Sequence, residues 1–322
     1  EDKKTIFLDQ IINPDQTNLK GFGYSISLSG NLLLIGAPKS SNPTFNQGAV
    51  TIYERQNNGQ WTKTGLIWGP STSSNQYFGA SVSANLNEGL IGTGHYAVEA
   101  AFYIEKNGSW QITNSLNFSA INSSNGPDRV KVALTDTFAV ISDLKGGSSQ
   151  SGEVHVFTRN TGGFTLQPTP LVGGSYEDFG SSLVANNNYI LVSAPKANSN
   201  RGKAYLFKKG NGTFIFKQAF DAEADSKYCG RSLSLTEVES KLRVYIGCPE
   251  DTNKKGSVFA YFEDTALNTM KLESKVILDS LSEGDLFGSS ISADGYDLVV
   301  GASHFDIPNT SNSGAFFGFY QK

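Results

Sequence analysis

The chain opens on a strand-like alternation. Ser25, Ser27 and Ser29 flank Ile26 and Leu28, the period of two expected of a strand with one face toward a core. The apolar run from Leu32 to Ile35 then reads as a strand buried on both faces. A polar loop leads to a run opened by glycine, Gly48 to Glu54, and a short turn leads to a fourth run beginning near Trp61. This four-part pattern recurs from Phe22, Phe78, Asp128, Phe179, Cys229 and Phe287, in frames 56, 50, 51, 50 and 58 residues apart. Third runs begin at Gly48, Ala100, Gly152, Gly202, Gly256 and Gly314, and fourth runs near Trp61, Trp110, Phe164, Phe214 and Leu272. Asn-Gly at Asn58, Asn107 and Asn211 supplies the left-handed backbone of a tight hairpin between third and fourth runs. Four antiparallel strands at a period of about fifty residues predict a propeller blade. The expected fold is therefore all-β: a single β-propeller over residues 1–322, with six four-stranded antiparallel blades and seven as the lesser alternative.

Counting strands leaves one place open. The sixth copy reaches Tyr320-Gln321-Lys322 straight after its third run, whereas Thr5 to Gln10 reads as a spare strand. The expected closure pairs this N-terminal strand (about 5–10) with the last blade, which removes exposed sheet edges. The alternative is that it completes the last blade of a neighbouring molecule and builds a head-to-tail fibre.

Composition narrows the function classes. Of 322 residues 34 are Gly, 11% are aromatic and 17% are charged, against about a quarter charged in an average soluble domain, which disfavours helical and disordered chains. A net charge of −4 lacks the basic footprint of a nucleic-acid binder, and no apolar stretch is long enough to span a membrane. The chain starts at Glu1 without Met or an apolar leader, as a mature secreted protein or a shortened chain would. N-glycosylation sequons stand at Asn107, Asn117, Asn122, Asn211 and Asn309.

Phe22-Gly23 with Gly36-Ala37-Pro38, Phe179-Gly180 with Ser193-Ala194-Pro195, and Phe287-Gly288 with Gly301-Ala302-Ser303 resemble the FG-GAP repeat, the blade unit of integrin α-subunit heads and many microbial surface proteins. The resemblance covers all six copies and implies an extracellular, non-enzymatic propeller that binds through its loops. Family members that hold calcium carry an acidic loop between the two motifs, because a hard cation needs several oxygen ligands from one turn. Here that interval is about six residues shorter: the first, fourth and sixth copies offer only Ser29-Gly30-Asn31, Asn186-Asn187-Asn188 and Asp294-Gly295-Tyr296-Asp297, and no calcium site is expected.

Two copies depart from the pattern. Cys229 takes the Phe place of its copy and Cys248 the Ala place, so a large–small packing pair becomes two cysteines. A disulfide, hence an oxidising compartment, is the economical explanation, and two thiols that merely pack are the alternative. In the third copy Asp128 stands at the Phe place, Asp143 at the Ala place and Arg129 at the Gly place. An ion pair inside a degenerate blade is the plain reading and a polar ligand notch the sharper one.

Lys39, Lys145 and Lys196 occupy one place in three copies, just after the Gly-Ala-Pro position. They are either solvated or a partial basic ring for an anion or acidic glycan. His95 and His304 lie on the same loops. No nucleophile motif, phosphate loop or metal-ligand spacing is present, so neither catalysis nor a cofactor is expected. The expected function is protein or glycan binding at a cell surface. The alternative is a structural subunit that assembles with copies of itself into a glycosylated extracellular fibre or coat.

Overall fold

Each run of the repeat is a strand. The computed structural model describes residues 11, 13–15, 18–70, 74–94, 100–118, 129–306, 310 and 312–320. Its strands form six antiparallel sheets, the blades of a β-propeller, and within each sheet the repeat strands lie in chain order. The first holds Ser25–Ser29, Leu32–Ala37, Ala49–Arg55 and Trp61–Trp68, and the second Ser81–Asn85, Glu88–Gly92, Ala101–Asn107 and Ser109–Leu116. The third holds Val132–Leu134, Phe138–Asp143, Glu153–Asn160 and Gly163–Leu166, with Leu171–Val172 as an added pair on Glu153–Asn160. The fourth holds Leu183–Ala185, Tyr189–Ala194, Lys203–Lys209 and Phe214–Asp221. The fifth holds Ser232–Val238, Lys241–Cys248, Ser257–Asp264 and Thr269–Val276. Among the described residues the sixth has three strands, Phe287–Asp294, Asp297–Ala302 and Ala315–Tyr320; the expected N-terminal strand lies outside them.

The fourth strands show what periodicity alone does not reach. In the first, second, fourth and fifth sheets the pairing slips by one residue after Ile52, Tyr103, Leu206 and Ala260, the same place each time. A bulge there bends the outer strand and adds twist. In the third sheet Pro168 and Pro170 follow the fourth strand and cannot donate to the ladder, so pairing stops at Leu166 and resumes only at Leu171. In the fifth sheet the strand starts at Thr269, three residues before the expected Leu272.

The repeat motif is the joint between successive sheets. In three sheets the glycine that opens the third strand bridges to the Phe place of the next sheet: Gly48 to Phe78, Gly202 to Cys229 and Gly256 to Phe287. A Cβ on Gly256 would stand 2.0 Å from the Phe287 carbonyl oxygen, and its φ is +91°, a conformation L side chains disfavour. The Gly-Ala-Pro glycine makes the second contact, since a Cβ on Gly36 would meet the Gly79 oxygen at 2.0 Å. Phe78, Phe179 and Phe287 are consequently fully buried.

Apolar cores lie between neighbouring sheets. Leu34, Val50 and Ile52 of the first pack on Phe78, Val82, Ile91 and Phe102 of the second. Leu191, Ala204 and Leu206 of the fourth pack on Leu233, Val244, Ile246 and the two cysteines, and Tyr245 and Val258 of the fifth on Phe287, Leu298 and Val300. The alternating hydroxyls of the first strands add a polar seam. Ser25 Oγ donates to the Gly79 carbonyl (2.7 Å), and Ser27 and Ser29 accept from the Ala84 and Leu86 amides (2.9 and 3.0 Å). Ser232, Ser234 and Thr236 repeat this on Gly288, Ala293 and Gly295. By contacts the chain divides into two compact units, 1–119 with 123–134, and 120–122 with 135–322. Among the described residues no helix is long and apolar enough to cross a membrane.

Candidate binding face

Loops that follow the second strands are tied to those entering the next sheet, because the chain must pass from one joint to the next at the same end of each sheet. The amides of Tyr77, Tyr176, Tyr228 and Leu286 donate to the carbonyls of Asn46, Ser149, Asn200 and Lys254, at 2.9, 3.3, 2.8 and 3.1 Å. A fixed loop surface results.

In the first unit this surface is polar and uncharged. Asn46 Nδ2 donates to Asn75 Oδ1 (2.9 Å) and the Tyr77 hydroxyl donates to the same oxygen (3.2 Å). Phe45, beside them, is exposed. Beneath, Gln47 is buried and its Nε2 donates to the Gly69 carbonyl, which anchors the loop. Lys39 is exposed.

In the second unit the surface is charged. Lys145 and Lys196, two of the three lysines expected to form a basic ring, converge on Asp178, at 3.3 and 2.8 Å. Repeat alignment hides Asp178, which takes the place of Tyr77 and Tyr228. One carboxylate between two ammonium groups halves their net charge, which weakens the expected anion site. Neighbouring Glu177 accepts from the Tyr205 hydroxyl (2.8 Å) and the Gly174 amide (2.9 Å). Burial first, then that bond to Glu177, pushes the Tyr205 hydroxyl well above its usual pKa. Asp251 is buried in the next loop and accepts from Ser257 (2.6 Å) and Ser226 (3.2 Å), with Lys275 at 2.9 Å. Burial alone would raise its pKa, but the bonds from Ser257 and Lys275 hold it below the usual value. His304 is exposed, its Nδ1 2.9 Å from Ser303 Oγ.

Cys229 and Cys248 are bonded, with Cα atoms 4.1 Å apart, and both are buried. Asn107 and Asn211 are exposed at the tips of hairpins between third and fourth strands. Asn117 is exposed too, although its Oδ1 accepts from the Ala100 amide (3.3 Å). Asn122, Asn309, His95 and Asp128 lie outside the described residues. Arg129 in the first unit and Asp143 in the second are both buried.

Asp143 has company that the sequence reading missed. Glu153 is its cross-strand partner, and His155, two residues on, has Nε2 3.3 Å from Glu153 Oε2. The signal was present in Gly152-Glu153-Val154-His155, where the first copy has Ala49 and Thr51 and the fourth Lys203 and Tyr205. Burial, then the Asp143 charge, raises the Glu153 pKa. Burial lowers His155 to about 4. Between pH 6.5 and 4 the unfolded chain therefore takes up a proton on this ring that the folded chain refuses, so stability falls as pH falls through that window, by at most about 3 kcal/mol. The raised Glu153 pKa acts in the opposite sense, favouring the fold as pH falls. His155→Phe, the residue at this place in Phe102, Phe259 and Phe317, should flatten the dependence of urea midpoint on pH. An unchanged slope would show that this ring takes up its proton equally in the folded and unfolded chain.

Among the described residues no three His, Cys, Asp or Glu side chains are grouped as a metal ion requires. Against known families, residues 9–53 and 271–319 match the FG-GAP repeat. The second match starts in the fourth strand of the fifth sheet and ends in the third strand of the sixth, so it takes in a joint. No curated protein matches the chain significantly.

Proposed function

From the premise that this chain is an FG-GAP β-propeller, on which the repeat matches and the six-sheet fold agree, we propose that it is a non-enzymatic extracellular domain whose loop face binds a glycan or protein at a cell surface. The observation that carries this is the cluster of Asn46, Asn75 and Tyr77 beside exposed Phe45. Amides that donate and accept next to an open aromatic face suit a sugar ring, whose hydroxyls need both kinds of partner and whose C–H face stacks on an arene. That chemistry favours glycan over protein. No metal or other cofactor is assigned a part. Extracellular placement is supported by the bonded cysteines, since disulfides persist in oxidising compartments, and by sequons at two exposed hairpin tips.

The test is a printed glycan array probed with the full chain and with Phe45→Ala/Asn46→Ala. Bound glycans are expected to weaken at least about tenfold, the effect of losing an aromatic anchor. An unchanged binding pattern, or none for the unaltered chain, would remove the glycan reading.

A further inference from the structure

Two joints can be compared place by place at the end where third and fourth strands turn. Where the first sheet meets the second, strand pairing sets Leu32 opposite Glu54 and Lys106 opposite Trp110. Lys106 Nζ donates to both Glu54 oxygens, at 2.9 and 2.8 Å, and so spans the two sheets. Where the third sheet meets the fourth, the same pairings set Phe138 opposite Thr158 and Lys209 opposite Phe214. Thr158 is shorter than Glu54 and carries no charge, so Lys209 turns instead to Thr137 Oγ1 (2.8 Å) and lies over the Phe138 ring (5.6 Å). A cavity of about 310 Å³, counted to its open mouth, lies among these residues.

The floor of the cavity is aromatic. The Phe138 and Phe214 rings meet edge to face at 4.8 Å, and both are buried. Its rim is polar: Thr158 is exposed, and Gln167 Nε2 donates to Thr158 Oγ1 (3.1 Å) and to the Gly212 carbonyl (3.3 Å). Gly212 and Thr213 complete the lining. They are the second and third residues of the sequon Asn211-Gly212-Thr213, whose Asn is exposed at the hairpin tip. The sequon Asn107-Gly108-Ser109 takes the same hairpin in the second sheet, where Lys106 and Glu54 hold the corresponding places.

We propose that Asn211 carries an N-linked glycan whose first sugar, an N-acetylhexosamine, seats in this cavity and ties the third sheet to the fourth-sheet hairpin. This rests on the extracellular part of the proposed function, because sequons are modified on chains that enter a secretory pathway. The occupant is the chain's own glycan because acceptor and cavity share Gly212 and Thr213. The chemistry suits that sugar. Its acetamido methyl and C–H groups would lie on the aromatic floor, while its amide and hydroxyls meet Thr158, the Gln167 amide and the Lys209 ammonium at the rim. Attachment one residue from the lining holds the sugar at high local concentration, so contacts too weak to capture a free sugar suffice.

The experiment is amide hydrogen exchange, resolved by peptide, on the full chain secreted by a eukaryotic host, with glycan occupancy read by mass spectrometry. The reporters are the amides of Gln167, which donates to the Val156 carbonyl, and Gly210, which donates to the Thr213 carbonyl, both at 2.8 Å. Asn211→Gln should speed their exchange about fivefold, the effect of losing an aromatic contact, and Asn107→Gln should leave it unchanged. Trimming the glycan to its single attached sugar by endoglycosidase should also leave it unchanged, since that sugar fills the seat. Thr158→Glu, which offers Lys209 the partner that Lys106 has in Glu54, should close the cavity, so that adding Asn211→Gln to it has no further effect. Asn211 and Thr158 are exposed, and unchanged circular dichroism confirms folding. A bare Asn211 beside an occupied Asn107, a trimmed form that exchanges like Asn211→Gln, or an undiminished glycan effect in Thr158→Glu overturns the seat alone. A secreted chain with no sequon occupied overturns the seat and removes the sequons from the support for extracellular placement.

Discussion

Gly256→Val should destabilise the protein more than any other single change at a joint. Gly256 holds φ +91°, and a Cβ there would stand 2.0 Å from the Phe287 oxygen, 2.6 Å from its nitrogen and 2.7 Å from its carbonyl carbon. Those atoms are backbone and cannot swing aside. Relief requires the entry to the sixth sheet to move, which breaks the bond from the Phe287 amide to the Lys255 carbonyl (2.9 Å). It also withdraws a fully buried ring from its edge contacts with Phe317 and Phe319, at 5.6 and 6.2 Å. Backbone strain of about 1–3 kcal/mol combines with the loss of a packed aromatic, about 3–5 kcal/mol when deleted, so a loss of at least about 4 kcal/mol is expected. Gly212→Ala is the control: it has φ +85° with nothing within 4 Å of its Cβ position, so only strain remains, about 1 kcal/mol. Urea midpoints of the two variants measure the difference. Equal midpoints would show that left-handed backbone, rather than the close approach of the next sheet, explains the glycine.

The second large effect is expected at the disulfide. Cys229 and Cys248 span the first two strands of the fifth sheet, where other sheets pair Phe78 with Thr93, Phe179 with Ala194 and Phe287 with Ala302. Cys229→Ala/Cys248→Ala removes both a cross-link and the volume at the Phe place. A loop of this separation contributes about 3 kcal/mol on the chain-entropy account. The lost apolar contact with the fourth sheet adds about 1 kcal/mol or more. Cys229→Phe/Cys248→Ala separates the contributions, since it restores the packing pair used elsewhere without the bond. Its midpoint should fall between those of the unaltered protein and the Ala/Ala variant. Both sulfurs are buried, so thiol titration of the native protein should find none, and none should appear on denaturation without reductant. Two titratable thiols in that denatured sample would show packed cysteines instead of a bond.

The fold was legible because the joint is local in sequence. Phe-Gly, the small residues some fourteen positions later and the glycine before the third strand each answer to one backbone approach, so they recur wherever a sheet meets the next. Other features depend on partners distant in sequence and left weaker traces. The bulge after Ile52, Tyr103, Leu206 and Ala260 is a property of strand pairing, and no residue type marks it. Asp178 changes the meaning of Lys145 and Lys196 from thirty-three residues away and from eighteen, and it stands where two copies carry Tyr. Glu153 and His155 could have been read, because alternation places them on one face with Asp143 opposite. Their meeting with Asp143 is a matter of cross-strand register, which no residue type in that copy marks. The loop cluster of Asn46, Asn75 and Tyr77 joins two repeats through side chains too common in this chain to stand out.

That the repeat motif is the joint between sheets is tested most directly by native-state amide hydrogen exchange. The amides of Phe78, Phe179, Cys229 and Phe287 donate to Gln47, Ser151, Arg201 and Lys255 at 2.9–3.1 Å beneath the buried Phe or Cys side chain. These four should exchange as slowly as the central strands, close to the limit set by global unfolding. Exchange of all four at the rate of exposed hairpin tips such as Gly59 and Gly212 would contradict the joint, and with it the assignment of the repeat.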